Sequence, residues 1–176
     1  KGDLLLRHHH CAIIIARHGK ALQPSSWDGP DATRPLMHRG VLQAEGIAPA
    51  IAAYGPERII SSTAVRCRET VAPLAALIGV EVREIDGISQ DSYGTAASTV
   101  EKVIAKRLRR AQTVVLCSHG PVIPELVRAI ANATTGGSTQ VLSRAASLDT
   151  GDFAVIHIAA GPRPRLVATE FHSPAI

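Results

Sequence analysis

Aromatic side chains make up only 3% of this 176-residue chain, and its three cysteines, Cys11, Cys67 and Cys117, are odd in number and far apart. So few aromatic platforms leave little for stacking single-stranded nucleic acid. No CxxC pair occurs, which excludes a zinc ribbon and a secreted disulfide scaffold and points to a reducing, cytoplasmic setting. Long apolar runs are missing as well. Nothing approaches membrane-spanning length, and Leu4 to Leu6 is too short for the apolar centre of a signal peptide, so no membrane partner is expected. Long blocks of one charge are also absent: 19 Lys and Arg against 15 Asp and Glu leave a formal charge of +4. The one basic cluster, KRLRR from Lys106 to Arg110, falls where a helix should end and complements its dipole, so no nucleic-acid polymer is expected as a partner.

Several chemistries lack their signatures. A cysteine phosphatase needs an arginine six positions after its cysteine, but Ile123 stands there after Cys117. The G-x-x-x-x-G-K of a P-loop is absent, no Nudix box of spaced glutamates occurs, and TTGGS (134–138) has loop composition without a phosphate-binding context.

What is present is alternation. Ile- and Val-rich strands at 12–16, 58–62, 80–85 and 113–118 take turns with Ala-rich helical segments near 38–54, 64–78, 95–108 and 121–133. ATTGGSTQ (133–140) reads as a loop, and 152–160 and 165–172 read as two strands of a terminal hairpin. The expected fold is α/β: a three-layer sandwich with a mostly parallel central sheet, helices on both faces and a C-terminal antiparallel hairpin. Residues 1–11 lack strand or helix periodicity and read as a linker, with one domain over 12–176 and a larger parent protein suspected. Three adjacent histidines, His8 to His10, cannot converge on one ion as spaced ligands can. The long stretch 22–35 is a loop of the kind that covers active sites.

Three features fall where a strand passes into the next helix or loop: Arg17-His18-Gly19, the Ser61–Arg66 run SSTAVR, and Ser118-His119-Gly120. In a parallel sheet these junctions share one edge, where ligands of open α/β sheets bind and helix N-termini offer N–H groups to anions. Arg17 and Arg66 can grip phosphate oxygens, while His18 and His119 can attack or donate. The positive surroundings favour neutral, nucleophilic His18.

RHG behind a first strand, SSTAVRCRET behind the second and SHG behind the fourth resemble the histidine phosphatase superfamily, with its phosphoglycerate-mutase-like fold, from about Ala12 onward. Asp31, Arg34, Pro35, Leu36, Arg39 and Gly40 match the D-x-x-R-P-L-x-x-R-G pattern of its SixA-like branch. The resemblance implies a phosphohydrolase in which His18 becomes phosphohistidine, and Arg17, Arg66, His119 and Gly120 complete the phosphate pocket. It implies neither a metal nor an organic cofactor. Many members carry a Glu as proton donor after the third strand, whereas Gln90 stands here with Asp91 beside it. Gln cannot protonate a leaving group; Asp91 can take over if its carboxyl points into the site, or is an ordinary turn residue. Lys20, Arg34, Ser62, Gln90 and Trp27 are further pocket candidates, Trp27 either stacking on a base or anchoring its loop. Thr63 replaces a usual proline.

VRCRETVAPLAALIGVEV, ISQDSYG and GPVIPELV also resemble the C-terminal half of two-domain MutT-type proteins, whose Nudix half acts on oxidised guanine nucleotides. The implied substrate is a nucleoside di- or triphosphate or another small phosphate, with a Nudix domain as neighbour. Two alternatives stand beside it: a SixA-like protein phosphohistidine phosphatase, and a non-catalytic phosphate-binding module assisting a Nudix domain.

Overall fold

The Ile-rich stretch forms β1 (His9–Arg17) in the structure, a computed structural model that describes residues 9–95 and 97–176. Its side chains alternate: Ile13 and Ile15 enter one apolar cluster, Ala12, Ile14 and Ala16 the opposite one. A strand buried on both faces requires this. β4 (Val114–Ser118) repeats the pattern, with Val114 and Leu116 on the first side and Val115 and Cys117 on the second. β4 pairs with β1 in parallel, Ile13 opposite Val114 through Arg17 opposite Ser118. β2 (Arg58–Ser61) follows beyond β4, and the short β3 (Val82–Glu84) forms that edge, also parallel. On the other side of β1, β5 (Phe153–Ala160) and β6 (Arg165–His172) add antiparallel, which gives the order β3-β2-β4-β1-β5-β6.

Helices α1 (His38–Ala52) and α2 (Val65–Ile78) cover one face through Ile47, Ile51, Val71 and Leu74. The other face lies under α3 (Ala97–Arg110), α4 (Ile123–Ala133) and α5 (Thr139–Ala145), through Ile104, Leu126, Ile130 and Ala145. This is the expected α/β sandwich with a terminal hairpin. Among the described residues no helix is long and apolar enough to cross a membrane.

Two elements depart from the sequence reading. β1 starts at His9, three residues before the expected strand, because the long β5 still offers partners there: His9 faces Ala160 and Cys11 faces Ile158. Residues 9–11 are therefore sheet and not linker, and His10 stacks on His157. The readings placed on 1–8, Leu4 to Leu6 and His8 included, lie outside the described residues. α5 occupies part of the stretch read as loop, and the Ser138 side chain caps it by accepting from Val141 N. Residue types that mark a loop also mark a helix N-terminus, so composition could not separate the two.

The 22–35 loop has a closed neck. Leu22 N donates to Pro35 O at 3.0 Å, Met37 N to Lys20 O at 2.9 Å, and Ala21 bridges Leu36 antiparallel. Two single-turn 3-10 helices, Pro24–Ser26 and Asp31–Thr33, order its interior.

Candidate active site

Because β1, β2 and β4 run parallel, their C-terminal ends bring the three junctions side by side. His18 N donates to Ser118 O at 3.1 Å and Ser62 N to Cys117 O at 3.0 Å. The residues after β1 are then fixed one by one: Gly19 N donates to Thr70 Oγ1 at 2.9 Å and Lys20 N to Gln43 Oε1 at 2.8 Å. Gly19 and Gly40 meet backbone to backbone. A Cβ on Gly19 would stand 2.8 Å from the Gly40 carbonyl oxygen, and one on Gly40 would overlap the Lys20 carbonyl. The first turn of α1 thus buttresses the His18 loop without any side chain between them.

His18 is buried, and its Nδ1 lies 2.8 Å from the Gly19 carbonyl oxygen. A carbonyl can only accept, so Nδ1 carries the proton and Nε2 keeps its lone pair. Burial pulls the pKa of His18 down to about 3; the Gly19 hydrogen bond opposes this, and His119, Arg66 and Arg17 reinforce it. The imidazole is neutral at physiological pH.

His119 stands edge-on to His18, ring centroids 5.2 Å apart, and is fully buried. Its Nε2 lies 2.8 Å from Ser62 Oγ, which also receives Ala64 N–H at 3.2 Å and meets Ser89 Oγ at 2.9 Å. Ser89 Oγ also meets Thr63 Oγ1 at 2.9 Å, so Ser62, Ser89 and Thr63 form one chain of hydroxyls leading from His119 to Asp86, which accepts from Thr63 at 3.2 Å. The second ring nitrogen of His119, Nδ1, is buried without a partner.

Arg17 donates from Nη1 to Leu148 O at 2.8 Å. Its guanidinium runs so close to Gly120 that a Cβ there would lie 3.2 Å from Cζ. Arg66 is 1% exposed; Nη1 donates to Asp31 O at 2.8 Å, and Nη2 to Asp31 Oδ2 at 3.0 Å and Gln90 Oε1 at 3.4 Å. Both arginines keep a buried Nε–H with no acceptor. Together with His119 Nδ1, one site holds three buried nitrogens lacking partners, two of them guanidinium donors, a rarity in folded proteins and a fit for an anion.

The other candidates divide. Gln90 and Asp91 line a small cavity with Asp31, Arg66, Ser89 and His119; its volume of about 10 Å³ admits one water at most. Asp91 is exposed on the turn Gln90–Ser92. Ser62 reaches the site through His119, which it orients. Lys20 lines a separate surface cavity with Arg39 and Asp149. Arg34 binds Asp31 Oδ1 at 2.9 Å and the Leu22 carbonyl, and so stiffens the loop. Trp27 donates from Nε1 to Thr33 Oγ1 at 3.1 Å and to Pro30 O at 3.3 Å, anchoring the same loop. Among the described residues no group of three His, Cys, Asp or Glu is placed to hold a metal ion.

Sequence reasoning missed Asp31 as a site residue, although it stood in a matched motif. It also missed Glu69 and Thr70, which follow Arg66 by three and four positions and share its helix face. Thr70 holds Gly19, and Glu69 Oε2 accepts from Leu36 N at 2.8 Å. Gln43, one turn into α1, ties Lys20 N to Thr150 O.

Three comparisons with known proteins agree with this geometry. An 8-oxo-(d)GTP phosphatase of Mycolicibacterium smegmatis is 31% identical over 140 residues, 74% of this chain and 44% of that protein, so the chain spans under half the length of that relative. The crystal structure of a protein named as the phosphohistidine phosphatase SixA of Agrobacterium tumefaciens superposes with a TM-score of 0.69 at 27% identity, covering 93% of this chain and 99% of that one. A SixA protein histidine phosphatase complexed with tungstate shares the fold, with a TM-score of 0.66 at 16% identity over 93% of this chain and 97% of its own. Residues 13–107, more than half of the sequence, match the family directly, and the chain belongs to the histidine phosphatase superfamily, branch 1.

Proposed function

We propose that this phosphohydrolase acts on a nucleotide, a nucleoside di- or triphosphate, by way of phosphohistidine at His18. The observation that carries the reading is the set of three unpartnered buried nitrogens, Arg17 Nε, Arg66 Nε and His119 Nδ1, around a histidine whose tautomer leaves Nε2 free; on this reading all three are donors to the phosphate. Nε2 attacks phosphorus in line, the bond to the leaving oxygen breaks, and the donors stabilise the charge spread over the equatorial oxygens. Asp91, on the cavity wall, gives the leaving oxygen its proton. Water then attacks the phosphorus of phosphohistidine and passes a proton back to Asp91 as the N–P bond breaks, which releases inorganic phosphate and restores neutral His18.

The nucleotide is supported by the mycobacterial relative's name, and by Gln90, since a good leaving group needs little protonation. A Nudix neighbour belongs to the same proposal; its support is the resemblance to MutT-type proteins and the greater length of that relative. The test is trapping. After incubation with 8-oxo-dGTP, 8-oxo-dGDP or GTP, acid-labile and base-stable phosphate should appear on the protein and vanish in His18→Ala. No labelling by any of them would sink the nucleotide reading.

The near full-length match to the Agrobacterium protein favours a second reading, a protein phosphohistidine phosphatase. A phosphorylated phosphotransfer domain that labels His18 faster than any nucleotide would select it. A module that only binds phosphate predicts no loss of the chain's own activity in His18→Ala.

A further inference from the structure

The basic cluster at the end of α3 is not spread through solvent. Helical spacing places Arg107 on the same buried face as Val100, Ile104 and Leu108, and the residue is only 4% exposed. Its Nη1 donates to Gln112 Oε1 at 3.0 Å, while Nε is buried without an acceptor. Arg107, Arg83, Lys102 and Lys106 line a cavity of about 330 Å³ between α3 and the β2–β3 edge, with Ile85 and Val103 as an apolar wall. Glu84 is the one carboxylate among the described lining residues, and it leans towards Arg68 at 3.4 Å.

Like charge is crowded here. Arg110, Arg107 and Arg83 depress the pKa of Lys106; burial and then Arg110, Arg58 and Arg83 depress that of Arg107. A helix dipole accounts for exposed cations in the last turn, such as Arg109 and Arg110. It accounts neither for the strand residues Arg58 and Arg83 nor for a buried guanidinium whose Nε–H has no acceptor. The volume sits at the lower end for small-molecule sites, roughly 300–1,000 Å³.

We propose that this cavity is a second anion site, apart from the His18 pocket, that binds an oligophosphate chain, free or carried by a nucleoside. Arg83, Lys102, Lys106 and Arg107 hold the phosphates, and four cations facing one diverted carboxylate call for a ligand of about three or more negative charges. Ile85 and Val103 seat a base where one is attached. The far side of the site touches catalysis, since Thr99 of the cavity wall packs against Gly87, in the turn that leads to Gln90 and Asp91.

The experiment is titration of the His18→Ala chain, which cannot turn substrate over, with sodium tripolyphosphate and with GTP, read by calorimetry and by backbone amide shifts. Shifts are expected at 83–85 and 102–107, separate from those at 17–19 and 119. Adding Lys102→Glu and Lys106→Glu should weaken this binding tenfold or more, with no fall in melting temperature because repulsion is relieved. Equal binding of the two ligands assigns recognition to the phosphate chain, and tighter GTP binding adds the base; both support the site. Amides of 83–85 and 102–107 that stay still with both ligands, or undiminished binding by the charge-reversed chain, would overturn it.

Discussion

Asp31 occupies both terminal nitrogens of Arg66: its backbone carbonyl takes Nη1 at 2.8 Å and its carboxylate takes Nη2 at 3.0 Å. Burial works against the Asp31 carboxylate, but the hydrogen bond from Arg34 and the charge of Arg66 outweigh it and hold its pKa below the ordinary value. A carboxylate therefore stands on Nη2, next to the Nε–H proposed to receive the phosphate. On the proposed function, the loop competes with the substrate for Arg66.

Removing that competitor should tighten anion binding. In Asp31→Ala, inorganic phosphate should inhibit at about fivefold lower concentration, corresponding to about 1 kcal/mol for a half-exposed charged pair. The KM for p-nitrophenyl phosphate should fall in parallel. Weaker phosphate inhibition would show instead that Asp31 holds Arg66 in place for the substrate.

The buried histidine makes stability depend on pH. His18 takes up its proton near pH 3 when folded and near 6.5 when unfolded, so between these values the unfolded chain holds more protons. Stability therefore rises with pH across that window and is lost as pH falls through it, by roughly 3–5 kcal/mol in full. Urea unfolding at pH 7 and pH 4.5 checks this, with His18→Asn as comparator. The variant should lose about 2–3 kcal/mol less than the parent on acidification, and equal losses would place the titration elsewhere.

Gly40→Ala should be far worse than Gly46→Ala, though both sit in α1. The added methyl at Gly40 collides with the Lys20 backbone, whereas at Gly46 its nearest neighbour is 3.7 Å away. Overpacking should cost Gly40→Ala about 1–3 kcal/mol and lower kcat by shifting the His18 loop. Gly46→Ala should be neutral or gain up to about 1 kcal/mol. Thermal melts and steady-state rates on both variants decide it.

Ser62→Ala should act on kcat and leave KM nearly unchanged. On the proposed function His119 donates to the anion from Nδ1, which requires Ser62 to donate to Nε2, and the substitution removes that support. A loss of tenfold to a hundredfold in kcat is expected, with Ser62→Thr restoring part of it. A rise in KM alone would assign Ser62 to substrate contact.

The parallel core was legible because strands buried on both faces must be written in Ile, Val and Ala, and because their shared polarity gathers the residues that follow them. Arg66 and His119 could be placed beside His18 for that reason. Hydrogen bonds between separate junctions leave no such trace: nothing in the spacing of Ser62 and Ser89 announces that they meet. Asp31 was visible as a motif position, but its hold on Arg66 depends on how the loop folds back. The pull of Trp27 is local, towards Pro30 and Thr33, and composition alone could not tell that from a cap over the pocket. Arg107 carried a readable signal, its seven-residue distance from Val100, which the dipole explanation obscured.

The neck formed by Ala21 and Leu36 makes the 22–35 segment a detachable module. Its ends are already side by side, so exchanging it for a loop of another length disturbs no strand, and the added closure entropy grows only slowly with length. Every residue proposed to carry out displacement at phosphorus lies outside this segment, which reaches the site through its clasp on Arg66. Replacing this one contiguous cassette therefore changes the hold on Arg66 while leaving the proposed nucleophile in place, and grafting it onto a related enzyme should shift that enzyme's affinity for phosphate.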